Sequence, residues 1–234
     1  KSVTARSAWS RLFDETIAAI RVDVGASERV TLEEALNQLL DPSEARRRTA
    51  AEGISAELGA NARVFTLITN TLAKDKEIGD RWRGFEDVAA SRHLSNRVEP
   101  EVVEALVTAV RNAYPRLSHR YYAMKARWLG KPVLDYWDRN APLPDADDRI
   151  ISWEEARDTV LSAYGAFSPE LSSLAARFFD NAWIDAPVRP GKAPGAFSHP
   201  TVPSAHPYVL LNYMGRTRDV MTLAHELGHG VHQI

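Results

Sequence analysis

A mainly α architecture of many helices, with a few short β-strands placed just before the last helix, is what this sequence predicts. Three observations carry the expectation. Apolar residues recur at helical spacing through most of the chain, helix-start signals of the Ser/Thr-x-x-Glu kind repeat along it, and two β-prone stretches appear only late, among prolines. Of the 234 residues 44% are hydrophobic, enough for one sizeable globular unit or two closely packed lobes. Basic and acidic residues balance at 29 against 31, so bulk charge gives no reason to expect nucleic acid or an anionic membrane as partner. The sequence has no cysteine, which excludes disulfides, thiolate metal ligands and a cysteine nucleophile, and agrees with a reducing, cytoplasmic setting. No apolar run approaches the roughly 18 residues of a transmembrane helix and no signal-peptide core is present, so a soluble chain is expected. Because it begins at Lys1 without an initiator methionine and stops abruptly at Ile234, we read it as a segment of a longer protein.

Trp9, Leu12, Phe13, Ile17 and Ile20 mark a first helix, and Arg21 to Val24 alternates like a short strand or the arm of a hairpin before Gly25. Thr31-Leu-Glu-Glu34 is a capping box that opens a helix through Leu40, and Asp41-Pro42-Ser-Glu44 repeats the device with proline at the first helical position. Arg46, Arg47 and Arg48 have no interleaved aromatics and are expected on a solvated helix face. After a break at Gly59-Ala-Asn61, Val64, Phe65, Leu67, Ile68 and Leu72 give another helix. A long helix from Pro100 to Trp128, kinked at Pro115, presents Val103, Leu106, Val107, Val110, Tyr114, Leu117 and Tyr121 on one stripe.

The texture then changes to a connector rich in proline and aspartate. The chain accordingly divides into a helical lobe at 1–130, a connector at 131–148 and a part carrying strands and the last helix at 149–234. The acidic run ending at Asp148 resembles the opening of a calcium loop, but Ile150 stands where glycine is needed and Ala156 where glutamate is, so a solvated loop is expected. Ser152-Trp-Glu-Glu155 and Ser168-Pro169-Glu170 open two more helices, the second reaching about Trp183. Ala186 to Gly195 reads as loop, and its Gly191-Lys192 lacks the rest of a phosphate-binding pattern. Ala196 to Ser198 and Tyr208 to Tyr213 are the two extended stretches.

The last helix holds the chemistry. Val220, Leu223, Ala224, Leu227 and Val231 fall on one face, with His225, His229 and His232 roughly opposite. His225, Glu226 and His229 form H-E-x-x-H, in which imidazoles at i and i+4 converge on one tetrahedral Zn²⁺ and the glutamate reaches its water without ligating the metal. Gly228 and Gly230 either admit another backbone or a substrate at close range or mark a fraying helix end. His232 lies about 10 Å along the axis from His225, too far to join it on one zinc, and is expected beside the site or on substrate. A third protein ligand is needed. The metzincin pattern wants glycine at position 232 and the deformylase type takes a cysteine, which leaves the gluzincin arrangement, a glutamate from a following helix beyond Ile234.

The segments Thr222 to Gln233, Pro190 to Ser198, Pro207 to Tyr213, Arg120 to Lys125, Trp9 to Asp14 and Asn70 to Asp75 together resemble the oligoendopeptidase F branch of the thimet oligopeptidase family of zinc metallopeptidases. The resemblance implies a largely helical zincin fold, elongated, with lobes around a deep channel that admits oligopeptides. It implies His225 and His229 as metal ligands, Glu226 as general base and one Zn²⁺ per intact enzyme, held weakly or not at all by this segment alone. The downstream glutamate ligand, the oxyanion-stabilising tyrosine and histidine, and an N-terminal lobe have no counterparts in the sequence. Hydrolysis of oligopeptides by a water activated by zinc and Glu226 is therefore expected of the whole protein, and inactivity of this segment. Gly195, Phe197 and Tyr208 join His232 as candidate substrate contacts, since one of the two extended stretches is expected to be an edge strand that pairs with substrate backbone. A zinc metallocarboxypeptidase and a non-catalytic helical peptide-binding module are the alternatives.

Overall fold

The computed structural model describes residues 5–26, 28–144 and 149–234, and the acidic run weighed above as a calcium loop lies outside them. The chain divides into two compact units, Lys1–Val30 with Ala35–Asp145, and Thr31–Glu34 with Ala146–Ile234. No described helix is long and apolar enough to cross a membrane.

In the first unit α1 (Arg6–Ala19) leads into β1 (Arg21–Asp23), which pairs with β2 (Arg29–Thr31). The Thr31 capping box then opens α2 (Leu32–Gln38). The Thr31 N–H donates to Glu34 Oε2 at 2.8 Å, and the Glu34 N–H to Thr31 Oγ1 at 3.2 Å. The next helix, α3 (Glu44–Ala60), starts later than its sequence signal because Asp41 spends its carboxylate on a turn, accepting from the Ser43 N–H at 2.8 Å. It is followed by α4 (Ala62–Trp82) and α5 (Ala90–Asn96). Phe13 of α1 meets Phe65 of α4 with ring centroids 5.5 Å apart. The long helix foreseen from Pro100 to Trp128 is two, α6 (Pro100–Ala113) and α7 (Ser118–Trp128). Pro115 lacks the N–H that would continue the helical ladder to the Arg111 carbonyl, and although Tyr114 itself keeps helical geometry the backbone leaves it by Leu117, so the chain breaks where a kink was expected.

The three arginines are not alike. Arg46 and Arg48 are exposed, whereas Arg47 is buried at 3% exposure on the side of α3 that also buries Ala50, Ala51 and Ile54. Its Nη2 donates to Asp138 Oδ1 at 2.7 Å, and Asp138, in a 3-10 turn at Tyr136–Asp138, is fully buried. The expectation of a wholly solvated face fails at Arg47, because one residue in three of any run on a packed helix points inward. Lys131 bonds the other oxygen of Asp138 at 2.5 Å. Burial works to raise the Asp138 pKa, but the bonds from Arg47 and Lys131 outweigh it and hold the carboxyl below its usual range. Burial acts first on the nearby Lys125 as well and lowers its pKa, with the Arg47 charge adding to the effect.

The second unit packs α8 (Trp153–Phe167), α9 (Pro169–Asp180) and α10 (Thr217–His232) with a sheet of β3 (Ile184–Pro187), β4 (Phe197–His199) and β5 (Tyr208–Tyr213), in the order β3-β5-β4. Ser152 Oγ accepts from the Glu155 N–H at 3.1 Å, but the Glu155 carboxylate is drawn to Arg149 at 2.6 Å instead of reaching back, so this capping box is half formed. Ser168 Oγ likewise accepts from the Leu171 N–H at 3.3 Å and starts α9. Strand β3 falls across the stretch expected as loop from Ala186, pairs parallel with β5 and ends at Pro187, which has no N–H to continue it. Strand β4 pairs antiparallel with β5, with Ser198 opposite Val209. The core is Ile151, Ala156, Val160, Ala175, Phe178, Val209, Leu211, Leu223 and Leu227, the two leucines of α10 lying at its centre with no exposed surface.

Candidate metal centre

Helix α10 is set by its two ends. Asp219 in its first turn accepts from the backbone N–H groups of Met214 at 3.0 Å and Arg216 at 2.9 Å, placing a negative charge at the positive end of the helix dipole and fixing where strand β5 turns into helix. At the other end Ser198 Oγ of β4 donates to Gln233 Oε1 at 2.9 Å. Between them Leu223 and Leu227 are buried, as the apolar face predicted, and His225 and His229 are exposed on the opposite side.

The two imidazoles converge. His225 Nε2 and His229 Nε2 stand 3.1 Å apart, with the rings nearly perpendicular at 88°. Two ring nitrogens facing each other at this distance repel unless a proton or a cation lies between their lone pairs. Nitrogens each about 2.0–2.1 Å from one tetrahedral zinc stand about 3.3 Å apart, so the observed pair fits two corners of such a site. Glu226, the next residue, is half-buried, and no hydrogen bond or ion pair holds its carboxylate among the described residues. His232 is exposed one turn further on, at the C-terminal end of the helix.

The other predicted contacts are distributed differently. Gly195 has both backbone groups occupied: its N–H donates to Glu33 Oε2 at 3.0 Å, and its carbonyl accepts from Asn212 Nδ2 at 2.8 Å. Phe197 lies on β4 and is 46% exposed; Tyr208 opens β5, half exposed, with its ring against His206. Of the two extended stretches proposed as an edge, β5 is the central strand with a partner on each side, and β4 is an edge. Of the two alternatives, the stretch at Phe197–His199 is the one that lies at an edge of the sheet, and Tyr208–Tyr213 is not.

Among the described residues the metal-sized group of three acidic or imidazole ligands is Glu44, Asp135 and Asp138, in the first unit, and includes neither histidine. Lys131 already bonds all three carboxylates and Arg47 pairs with Asp138, which makes it a neutralised knot and not a cation site. Two contacts of α10 were not foreseen. The hydroxyl of Tyr164 on α8 donates to the carbonyl of Ala224, and a Cβ on Gly228 would stand 3.2 Å from that hydroxyl; a Cβ on Gly230 would stand 2.8 Å from ring atoms of the fully buried Phe178. The neighbours at these glycines are thus side chains of this chain, Tyr164 and Phe178, where another backbone or a substrate was expected. The glycines were legible as a sign of crowding, but nothing near Tyr164 in sequence points to a helix sixty residues on.

A model of peptidase family M3 matches residues 164–234. Oligopeptidase PepF of Bacillus subtilis (strain 168) is 26% identical over 220 residues, 94% of this chain and 32% of that protein. Group B oligopeptidase PepB of Streptococcus agalactiae serotype III (strain NEM316) is 30% identical over 167 residues, 71% of this chain and 27% of that protein. The solved structure of Pz peptidase A with inhibitor 2 superposes with a TM-score of 0.87 at 17% identity, covering 97% of this chain and 41% of that one. The chain thus spans about a third of the length of these curated relatives, 32% and 27%.

Proposed function

The chain is a relative of the oligoendopeptidase F branch of the family M3 peptidases, and from that premise we propose that it carries the metal-binding helix of a zinc endopeptidase acting on oligopeptides. The observation that supports this best is the pair of His Nε2 atoms 3.1 Å apart with the unpartnered carboxylate of Glu226 on the next residue. His225 and His229 would hold the ion through Nε2, which leaves the proton of each neutral ring on Nδ1. Zinc bound there would supply Lewis-acid polarisation of a scissile carbonyl and bring the pKa of water toward about 7.

Glu226 takes the proton of the attacking water on a carboxylate oxygen and returns it to the leaving amine nitrogen. A carboxylate with no internal partner keeps its lone pairs for that exchange, and flanking the ligand face it is within reach of the water without competing for the metal. The free edge of β4 offers backbone N–H and C=O groups to an extended peptide, with Phe197 exposed beside it. His232 serves substrate or the surroundings of the site and not the metal. A glutamate on a following helix is taken as the third protein ligand, and the 234-residue chain alone is then inactive. A cytoplasmic setting goes with this reading.

The test compares the full-length protein with the 234-residue chain for zinc content and for chelator-sensitive cleavage of a quenched oligopeptide. One zinc per chain and internal cleavage by the full-length protein alone is the expected result. Peptide binding without zinc or cleavage in both would overturn the reading.

A further inference from the structure

Tyr164 has no part in the chemistry above, yet its position is specific. It projects from α8 to a flank of α10, about 100° round the helix from the histidines, and its hydroxyl donates to the carbonyl of Ala224. Within an α-helix that carbonyl also accepts the N–H four residues on, that of Gly228. Gly228 is where a Cβ would approach the same hydroxyl to 3.2 Å. One oxygen therefore sits against two backbone positions a turn apart, and each immediately precedes a histidine of the pair, Ala224 before His225 and Gly228 before His229.

Resting on the metal reading of those histidines, we propose that Tyr164 is a positioning residue for the ion site: its lateral hydrogen bond fixes the roll of α10 about its axis, and Gly228 is the notch that lets the hydroxyl reach the helix backbone. The roll matters because a ring nitrogen about 8 Å from the axis moves about 0.7 Å for a turn of about 5°, well outside the roughly 0.2 Å tolerance of a zinc–ligand distance. Rolling leaves the His225–His229 separation unchanged, since both ride on one helix. What it changes is their aim toward a ligand or substrate held by any other element. Leu223 and Leu227 anchor the helix by apolar packing, which is non-directional, and the Ser198–Gln233 bond holds its C-terminal end, whereas the hydroxyl-to-carbonyl bond is directional and acts on the turn that carries the histidines. Burial raises the Tyr164 pKa, which keeps the phenol protonated as the donor this requires.

The experiment uses the full-length protein with Tyr164→Phe, Gly228→Ala and the two combined. Ser172→Ala is the control, since it removes a comparable bond, from Ser172 Oγ to the Leu161 carbonyl at 2.9 Å, between α9 and α8 without touching α10. Zinc affinity is read by chelator competition, the ligand geometry by the visible spectrum of the cobalt-substituted protein, and packing by the thermal midpoints of the metal-free forms. Tyr164→Phe is expected to weaken zinc about 5-fold, the equivalent of one net hydrogen bond, and to shift the cobalt bands, while Ser172→Ala does neither. Gly228→Ala is expected to lower the midpoint in the parent and to lower it less in the Tyr164→Phe background. Wild-type affinity and cobalt spectrum in Tyr164→Phe, an equal loss in Ser172→Ala, or additive midpoints would each overturn the proposal alone. A wild-type protein that holds no zinc would instead remove the metal reading and this proposal with it.

Discussion

Replacing Asp138 with asparagine leaves the shape of its side chain and removes its charge, and the structure fixes which neighbour suffers. The carboxylate has no exposed surface and accepts from Arg47 at 2.7 Å, from Lys131 at 2.5 Å and from the Asp135 N–H at 3.2 Å. Lys131 keeps Glu44 at 2.5 Å and Asp135 at 3.0 Å, so its charge stays compensated. Arg47 keeps the carbonyls of Asp41 and Pro42, both at 2.8 Å, but its Nε already lacks a partner and its charge would lose its only carboxylate among the described residues. The loss should therefore approach the cost of breaking a buried pair, about 3–5 kcal/mol. Urea unfolding followed by circular dichroism measures it, with the slope checked for loss of two-state behaviour. Replacing both partners with apolar residues, Arg47→Met with Asp138→Leu, should cost far less, within about 1–2 kcal/mol of the parent, because no charge is stranded. The pH dependence has a definite sign. The folded pKa of Asp138 is depressed, so its contribution is fully present above the unfolded value near about 3.9 and is lost as pH falls through the folded one. Parent and Asp138→Asn stabilities should differ most at neutral pH and converge in acid. A difference below about 1 kcal/mol at pH 7, or one unchanged at low pH, would refute the reasoning.

Gly230→Ala should destabilise: its Cβ would meet the buried Phe178 ring at 2.8 Å, and an overpacking cost of about 1–3 kcal/mol exceeds the roughly 1 kcal/mol that alanine gains in a helix. Denaturant midpoints of the single variant against Gly59→Ala, where a Cβ meets nothing within 4 Å, give the comparison. Ser152→Ala should cost about 1 kcal/mol through the lost cap of α8, measured the same way. His232→Ala should leave the zinc content of the full-length protein unchanged, whereas His225→Ala or His229→Ala should abolish it; metal analysis after dialysis decides.

What the sequence made legible was local. The Thr31–Glu34 box forms as read because both of its partners lie within four residues, and the apolar face of α10 is buried because its period of 3.6 names its own inner side. The H-E-x-x-H geometry was legible for the same reason, since i and i+4 on a helix need no information from elsewhere. Failures arose where a competing partner, near or far in sequence, took the side chain. Glu155 turns to Arg149, Asp41 serves a turn, and Arg47 finds Asp138 ninety-one positions away. Strand β3 was missed because a short parallel strand is defined by its neighbour β5 and carries little pattern of its own. The same holds for edge and centre in the sheet, which depend on order and not on composition.

The central claim is that His225 and His229 hold a catalytic zinc beside the base Glu226. It is tested most directly by assaying full-length protein carrying Glu226→Gln, loaded and checked for one zinc per chain, for cleavage of a quenched oligopeptide. The account predicts retained zinc with cleavage reduced at least about 100-fold, the usual weight of a general base. Cleavage at the wild-type rate by the zinc-loaded variant would contradict it.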